Sequence, residues 1–174
     1  MINFFLIAIL FFLQFGQAKE ISITIDDPEV KETPLFDSKK RNQEILKALD
    51  AHQVKAALFV CGMRIDNAEG KDLLKSWDQK GHLIGNHTYS HLYFHSDRNS
   101  LEVFKSDFLK VEVLIKDLKN FSRIFRFPYL KEGNTNEKRD GMRAFLKEHK
   151  YQHGYVRYTS GGGKHRVGFG ETAG

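Results

Sequence analysis

The sequence predicts an α/β fold with about five parallel strands, and three observations predict it. Short β-branched or apolar runs alternate with longer segments of helical period, in the order β-loop-α-β-α-β-α-β-α-β. That alternation is the pattern of parallel strands joined by right-handed crossovers. The run Ala56-Ala57-Leu58-Phe59-Val60 is continuously apolar, as expected of a strand covered on both faces. The residues with the most chemical potential, Asp26-Asp27, His87 with His91, and Arg126 to Tyr129, each fall just after a predicted strand or at its end. In parallel α/β architectures, sites are built at the carboxyl ends of strands.

Bulk composition agrees with one domain. The chain has 174 residues, against about 100–200 per domain. Hydrophobic residues make up 41% and include 15 Phe, enough for an aromatic core. The formal charge is +5. Lys and Arg are interspersed with acids along helical segments, which reads as solvated helix faces. No basic stripe interleaved with aromatics marks a nucleic-acid partner. One cysteine, Cys61, leaves no internal disulfide; at the end of an apolar strand it reads as buried and inert.

Residues 2–15 are an apolar run followed by Gly16-Gln17-Ala18, with small residues at −3 and −1 of a cut after Ala18. This is a secretory signal peptide pattern over residues 1–18. The run falls short of the roughly 20 residues of a membrane span. The expectation is export, to the periplasm, cell wall or medium, with no stable span after cleavage.

The elements follow in order. Ile21 to Ile25 alternates apolar and polar residues and reads as the first strand, stopped at Asp26-Asp27-Pro28. Residues 29–37 read as a loop. Ser38 to His52 is a helix with Ile45, Leu46 and Leu49 on one face. Lys55 to Val60 is the second strand. Residues 69–80 form a helix with Leu73, Leu74 and Trp77 inward, closed by Gly81. His82 to Gly85 is a short third strand. Asp97 or Ser100 caps the longest helix, which runs to Leu118. Arg123 to Phe127 is the fourth strand, ended by Pro128, and Lys131 to Asn136 is a loop. Glu137 to Lys150 is a helix with Met142, Phe145 and Leu146 inward, and Tyr155 to Tyr158 a fifth strand. Residues 159–174 are glycine-rich, lack apolar period and read as a flexible tail.

The chemistry concentrates in Gly85-Asn86-His87-Thr88-Tyr89-Ser90-His91. Imidazoles at i and i+4 point the same way on a helical turn. A carboxylate from elsewhere would complete a nitrogen, nitrogen, oxygen set suited to a catalytic Zn²⁺ or similar ion with a position left for water. The doublet Asp26-Asp27 offers one carboxylate to hold the metal and one to take a proton from that water. Metal-assisted hydrolysis is the reaction class these residues indicate. Thr88 and Ser90 read as residues that brace the loop. His82, His95, His149, His153 and His165 lack a partner pattern and read as lying at the surface or around the site; His52 reads as sitting near a helix end.

These segments together resemble the polysaccharide deacetylases, the NodB-homology group of metal-dependent carbohydrate esterases. Ile23-Thr24-Ile25-Asp26-Asp27-Pro28 resembles the family's first motif, T-F-D-D-G-P, without its glycine. Lys55 to Gly62 is similar to the family's second strand. Gly81 to His91 is a near-complete match to the second motif, H-[ST]-x-x-H with its lead-in, and Arg126-Phe127-Pro128-Tyr129 resembles the third, R-x-P-[YF]. The resemblance covers residues 20–158 and gives a domain over 19–158. It implies an incomplete or distorted (β/α) barrel and removal of N-acetyl groups from amino-sugar polymers such as peptidoglycan or chitin-like glycans.

Carried over residue by residue, Asp27, His87 and His91 would be the metal ligands, for Zn²⁺ with Co²⁺ or Ni²⁺ as alternatives. Asp26 would be the general base and Arg126 would hold it by a charge-assisted pair. The backbone N–H of Tyr129 would face the developing oxyanion, and Pro128 and Tyr129 would border the acetyl pocket. The sequence departs from the family at its C-terminal end. Arg157-Tyr158-Thr159-Ser160-Gly161 stands where the acidic, tryptophan-containing fourth motif belongs, and the Leu-x-His that supplies the general acid is not found. The composition change after Val156 reads as a truncated or frame-shifted end. The expectation is a weakly stable chain, weakly active or reduced to a glycan-binding remnant.

Overall fold

The computed structural model describes residues 22–155. The leader, residues 1–18, and the tail, residues 159–174, lie outside the described residues. Five parallel strands stand in the order β1-β2-β3-β4-β5. They are β1 Ile23–Asp26, β2 Ala56–Val60, β3 Leu83–Asn86, β4 Phe121–Phe125 and β5 Gln152–His153. Strand order equals chain order, so every crossover steps the same way. No reversal point of the doubly wound kind exists among these strands. The sheet therefore curls into a half-barrel, as the expected incomplete (β/α) barrel requires.

Five α-helices connect the strands: α1 Ser38–Ala51, α2 Gly62–Ile65, α3 Ala68–Gln79, α4 Leu101–Ile115 and α5 Asn136–Glu148. Four begin on a side chain that accepts from an otherwise unpaired N–H of the first turn. Asp37 accepts from Lys40 N at 2.6 Å, Asn67 from Gly70 N at 2.8 Å, Ser100 from Val103 N at 3.2 Å and Thr135 from Lys138 N at 3.2 Å. Of the two expected caps for α4, Ser100 is the one used. Gly81, at φ +75°, closes α3: its N–H donates to Asp78 O and that of His82 to Trp77 O. This double closure needs the left-handed conformation that glycine adopts at no steric cost.

The two-residue period of the sheet separates two surfaces. Ala56, Leu58 and Val60 face a helix-covered core with Leu74, Trp77, Val111 and Ile115. Ala57 and Phe59 face the opposite way, against Ile124. Much of the phenylalanine content goes into a second cluster, where Phe94, Phe104, Phe108, Phe125 and Phe127 are all fully buried. Phe94 stacks on Phe104 with ring centroids 4.0 Å apart.

Several boundaries differ from the sequence reading. β4 starts and ends two residues early, because pairing with β3 is irregular between Ile84 and Asn86 and the chain turns into a 3₁₀ turn at Pro128–Leu130. β5 lies at Gln152–His153 rather than Tyr155 to Tyr158; Gly154 N–H donates to Phe125 O at 2.7 Å and ends the ladder. Residues 156–158 lie outside the described residues. Helix α4 stops at Ile115, short of Leu118. Helix α2 was not anticipated, since four residues are too short to show a period. The histidines do not ride a helical turn: residues 87–100 form no helix or strand, and both Thr88 (φ 64°) and His91 (φ 52°) are left-handed.

Phe94 anchors that irregular stretch in the second core. Replacing it with Ala should cost about 3–5 kcal/mol of folding free energy, the usual range for a fully buried Phe. Urea denaturation measures the loss; amide exchange should speed up over residues 87–100 more than over β2.

Candidate metal centre

The carboxyl ends of β1 and β3 meet. Asp27 follows β1, and His87 and His91 follow β3. One ligand atom from each of these three side chains lies within 4.8 Å of the others. His91 Nε2 is 3.3 Å from Asp27 Oδ2. His87 is nearly fully buried, and its Nδ1–H donates to the backbone carbonyl of Arg126 at 2.7 Å. That bond fixes the tautomer and leaves Nε2 as the lone-pair nitrogen. Burial holds the His87 pKa below its ordinary value, which favours the neutral ring that a metal requires. Asp27 Oδ1 is buried and accepts no hydrogen bond.

Two consecutive carboxylates reach one site only because the backbone breaks the strand period. Asp26 ends β1 with its side chain on the same face as Thr24. Continued extension would send Asp27 to the other face. Asp27 instead has φ 55°, a conformation Asp tolerates better than most residues.

Arg126 organises the other side of the site. It is 3% exposed, and its guanidinium makes three hydrogen bonds. Nη1 donates to Asp26 Oδ1 at 2.5 Å and to Thr24 Oγ1 at 2.9 Å, and Nε donates to Gly154 O at 2.9 Å. The guanidinium carbon sits 4.1 Å from the centroid of Phe59, close enough for a cation–π contact. Pro128 is buried at the start of the 3₁₀ turn, which carries Tyr129 at φ 57°. Tyr129 is half-exposed, and its ring meets His91 edge to face at 4.7 Å. The structure thus gathers Asp26, Asp27, His87, His91, Arg126 and Tyr129 at one end of the half-barrel.

The histidine stretch is braced by residues that sequence reading passed over. Buried Asn86 donates to Phe108 O at 3.0 Å and accepts from Thr88 N at 2.8 Å. Asp107 accepts from Ser90 N through both carboxylate oxygens, at 2.9 and 3.2 Å. The bracing groups of Thr88 and Ser90 are therefore their backbone N–H groups, and Thr88 Oγ1 has no partner. Asn86 lies inside the motif and Asp107 on an amphipathic helix, where nothing in the pattern separates it from a solvated acid.

Other expectations need correction. His82 is not a surface residue: it is fully buried, stacks on Trp77 at 4.9 Å and accepts from Ala56 N at 3.1 Å through Nδ1. His153 is largely buried between the rings of Phe127 and Tyr155. His52 is the C-cap of α1, as expected. Cys61 is fully buried; burial, with the Asp27 charge, pushes its thiol up to about 11, which agrees with an inert role.

A family model described as polysaccharide deacetylase matches residues 15–153. The chain belongs to the polysaccharide deacetylase family. A peptidoglycan-N-acetylglucosamine deacetylase of Bacillus cereus is 32% identical over 113 residues, 63% of this chain and 36% of that protein. This deacetylase-family chain thus spans little more than a third of that relative's length. Among solved structures, a peptidoglycan N-acetylglucosamine deacetylase bound to a naphthalenyl N-oxidanyl-benzamide aligns at TM-score 0.60 and 23% identity, over 77% of this chain and 55% of that one. A CE4-family pseudoenzyme of Bacillus anthracis aligns at TM-score 0.52 and 21% identity, over 72% and 41%. At these identities the structures share the fold.

The buried histidines set an acid limit for the folded deacetylase domain. Burial, aided by the charges of Arg143 and Arg126, pushes His153 down to about 3, and burial also lowers His82. As pH falls below about 6.5 the unfolded chain takes up protons on these rings while the folded one does not, so stability falls. In chelator-treated protein, the loss between pH 6.5 and 5 should be about 1 kcal/mol per pH unit for His153, with His82 acting in the same direction. Replacing His153 with Gln should flatten the slope of urea-derived stability against pH; an unchanged slope would refute the assignment.

Proposed function

We propose that this chain is a metal-dependent hydrolase that removes N-acetyl groups from an amino-sugar polymer, peptidoglycan or a chitin-like glycan. The observation that carries the reading is the convergence of Asp27, His87 and His91 beside an Asp26 held by buried Arg126. The donor set fits a divalent ion. It is two imidazoles and a carboxylate, with His87 oriented through Nδ1 and Asp27 Oδ2 facing His91 Nε2 at 3.3 Å. Asp27, His87 and His91 would hold Zn²⁺, with Co²⁺ or Ni²⁺ as alternatives. When bound, such an ion supplies Lewis acidity to the amide carbonyl and makes water a stronger acid.

The remaining work falls to the chain itself. Asp26 takes the proton of the attacking water as general base. Arg126 holds the Asp26 carboxylate in place by its charge-assisted pair. The Tyr129 N–H donates to the oxyanion that develops on the carbonyl oxygen; one such donor is worth about 3–4 kcal/mol in the transition state. Pro128 and the Tyr129 ring border the acetyl group. Export through the residue 1–18 leader belongs to the same reading, since the polymer substrate lies outside the cytoplasm. Among the described residues, no helix is long and apolar enough to cross a membrane.

A second reading, a glycan-binding remnant without turnover, is favoured by one observation: a CE4-family pseudoenzyme shares this fold, aligning at TM-score 0.52.

Acetate release from N-acetylglucosamine oligomers separates the two readings. The hydrolase reading predicts release that a chelator abolishes and Zn²⁺ or Co²⁺ restores, and a drop of about 10²–10⁴-fold on replacing Asp26 with Asn. Oligomer binding with no acetate above background would establish the remnant.

A further inference from the structure

Helix α2 joins the two halves of the proposed ligand set. Its first residues are tied to the histidine stretch: Gly62 N–H donates to Thr88 O at 3.1 Å and Met63 N–H to Tyr89 O at 2.8 Å. The Cys61 thiol, just before the helix, donates to the same Tyr89 carbonyl at 3.4 Å. The Tyr89 ring lies so close over Gly62 that an added Cβ would fall 2.4 Å from its Cδ2, so the helix and the stretch are in contact along both backbones. From this platform Arg64 extends back to the end of β1. Its Nε is 3.4 Å from Asp27 Oδ1, and its Nη1 donates to Glu29 Oε2 at 3.0 Å.

The Asp27 carboxylate is therefore divided. Oδ2 faces His91 Nε2, and Oδ1 faces Arg64. A lone cation beside a ligating carboxylate would compete with a metal. Here Glu29 offsets the charge, and what remains is an ion-pair restraint on the carboxylate. We infer that Arg64 is a positioning residue for the metal site: with Glu29 as its counter-charge, it turns Asp27 so that one oxygen points at the histidines, and it thereby sets the affinity for the divalent ion. The inference rests on the metal reading above and adds Arg64 and Glu29, neither of which the site motifs contain.

Groups that orient a ligating carboxylate typically change metal affinity 10- to 100-fold. Arg64 is about a third exposed and borders a cavity of about 450 Å³ with Glu29, Lys31, Met63 and Asn67, so Met at this position removes the charge without opening the core. The test measures Zn²⁺ and Co²⁺ affinity of the full chain by competition with a chromophoric chelator, together with the visible spectrum of the Co²⁺ form and the melt of the metal-free protein. The expected result is about 10-fold weaker binding for Arg64→Met, an altered Co²⁺ spectrum, partial recovery in Arg64→Lys, weaker binding in Glu29→Gln, and metal-free melts within a few degrees of wild type. Wild-type affinity, or tighter binding, in Arg64→Met would overturn the inference and leave the metal reading standing. A wild-type chain that binds neither ion would overturn both.

Discussion

The buried guanidinium of Arg126 is the constraint on which the rest of the structure depends. An isolated charge in a protein interior costs several kcal/mol even after relaxation, so the surroundings must be arranged to satisfy it. They are. Its side chain reaches β1 through Thr24 and Asp26, lies over Phe59 of β2, and meets the Gly154 carbonyl just beyond β5. Its backbone does as much. The N–H donates to Asn86 O at the end of β3, and the carbonyl accepts from His87 Nδ1. β1 and β5 are the two outer strands of the described sheet, so one side chain spans the half-barrel from edge to edge. The same residue therefore fixes the curvature of the sheet, the place of Asp26 and the tautomer of His87. Removing a single partner leaves a buried charge uncompensated, which typically costs about 3–5 kcal/mol. Fold and site are difficult to perturb separately here.

Backbone strain gathers where the side chains converge. Asp27, Thr88, His91, Tyr129 and Leu130 all have positive φ. Each is a non-glycine residue held in a conformation that costs on the order of 1–3 kcal/mol. The benefit is directional. A strand can present only alternate residues to one face, yet Asp26 and Asp27 are adjacent and both contribute. A helical turn would align His87 and His91 by its own period; the left-handed residues between β3 and α4 align them without one. The network that keeps these conformations in place, from Asn86 and Asp107 to the α2 backbone, is a set of hydrogen bonds to main-chain groups. That is the form of support that over-determines a backbone rather than a side chain.

How much of this could be read from the residues alone follows from range. The alternation of strands and helices, the choice of Asp97 or Ser100 as the cap of α4, and the turn at Gly81 are local. They depend on neighbours within a few positions and were legible. So was the gathering of Asp27, His87 and His91, because the H-x-x-x-H spacing and the Asp doublet carry a chemical demand that few other arrangements explain. What stayed hidden is non-local or too short. Helix α2 has no period to read, and Arg64 within it looks like any surface cation until β1 lies beside it. His82 resembled a surface residue, because no local pattern reveals that Trp77 and the β2 backbone enclose it. The end of β5 is set by Gly154 closing on Phe125 and Phe59, a contact between residues far apart in sequence. The helical turn assigned to the histidines was wrong for a related reason: spacing alone does not distinguish a helix from a strained loop that reaches the same geometry.

The aromatic composition acquires a purpose in this light. Residues 87–100 carry both candidate imidazole ligands and no regular secondary structure, which places such a segment among the parts of a protein that open most easily. A metal ligand pair on an easily opened loop would lose affinity to the population of open states. This loop is closed instead by burying Phe94 completely, stacked on Phe104 and near-parallel to Phe127 at 6.1 Å. Its far end is fastened to α5 and the segment before it. His95 Nδ1–H donates to Gly133 O, and Lys138 Nζ donates to Ser96 O. Phe127 belongs to the same Arg-Phe-Pro-Tyr run as Arg126. One face of that run supports the half-barrel and the His87 tautomer, and the other packs the ring that holds the histidine loop shut. The phenylalanine cluster is therefore as much a part of the site as the candidate ligands it keeps in place.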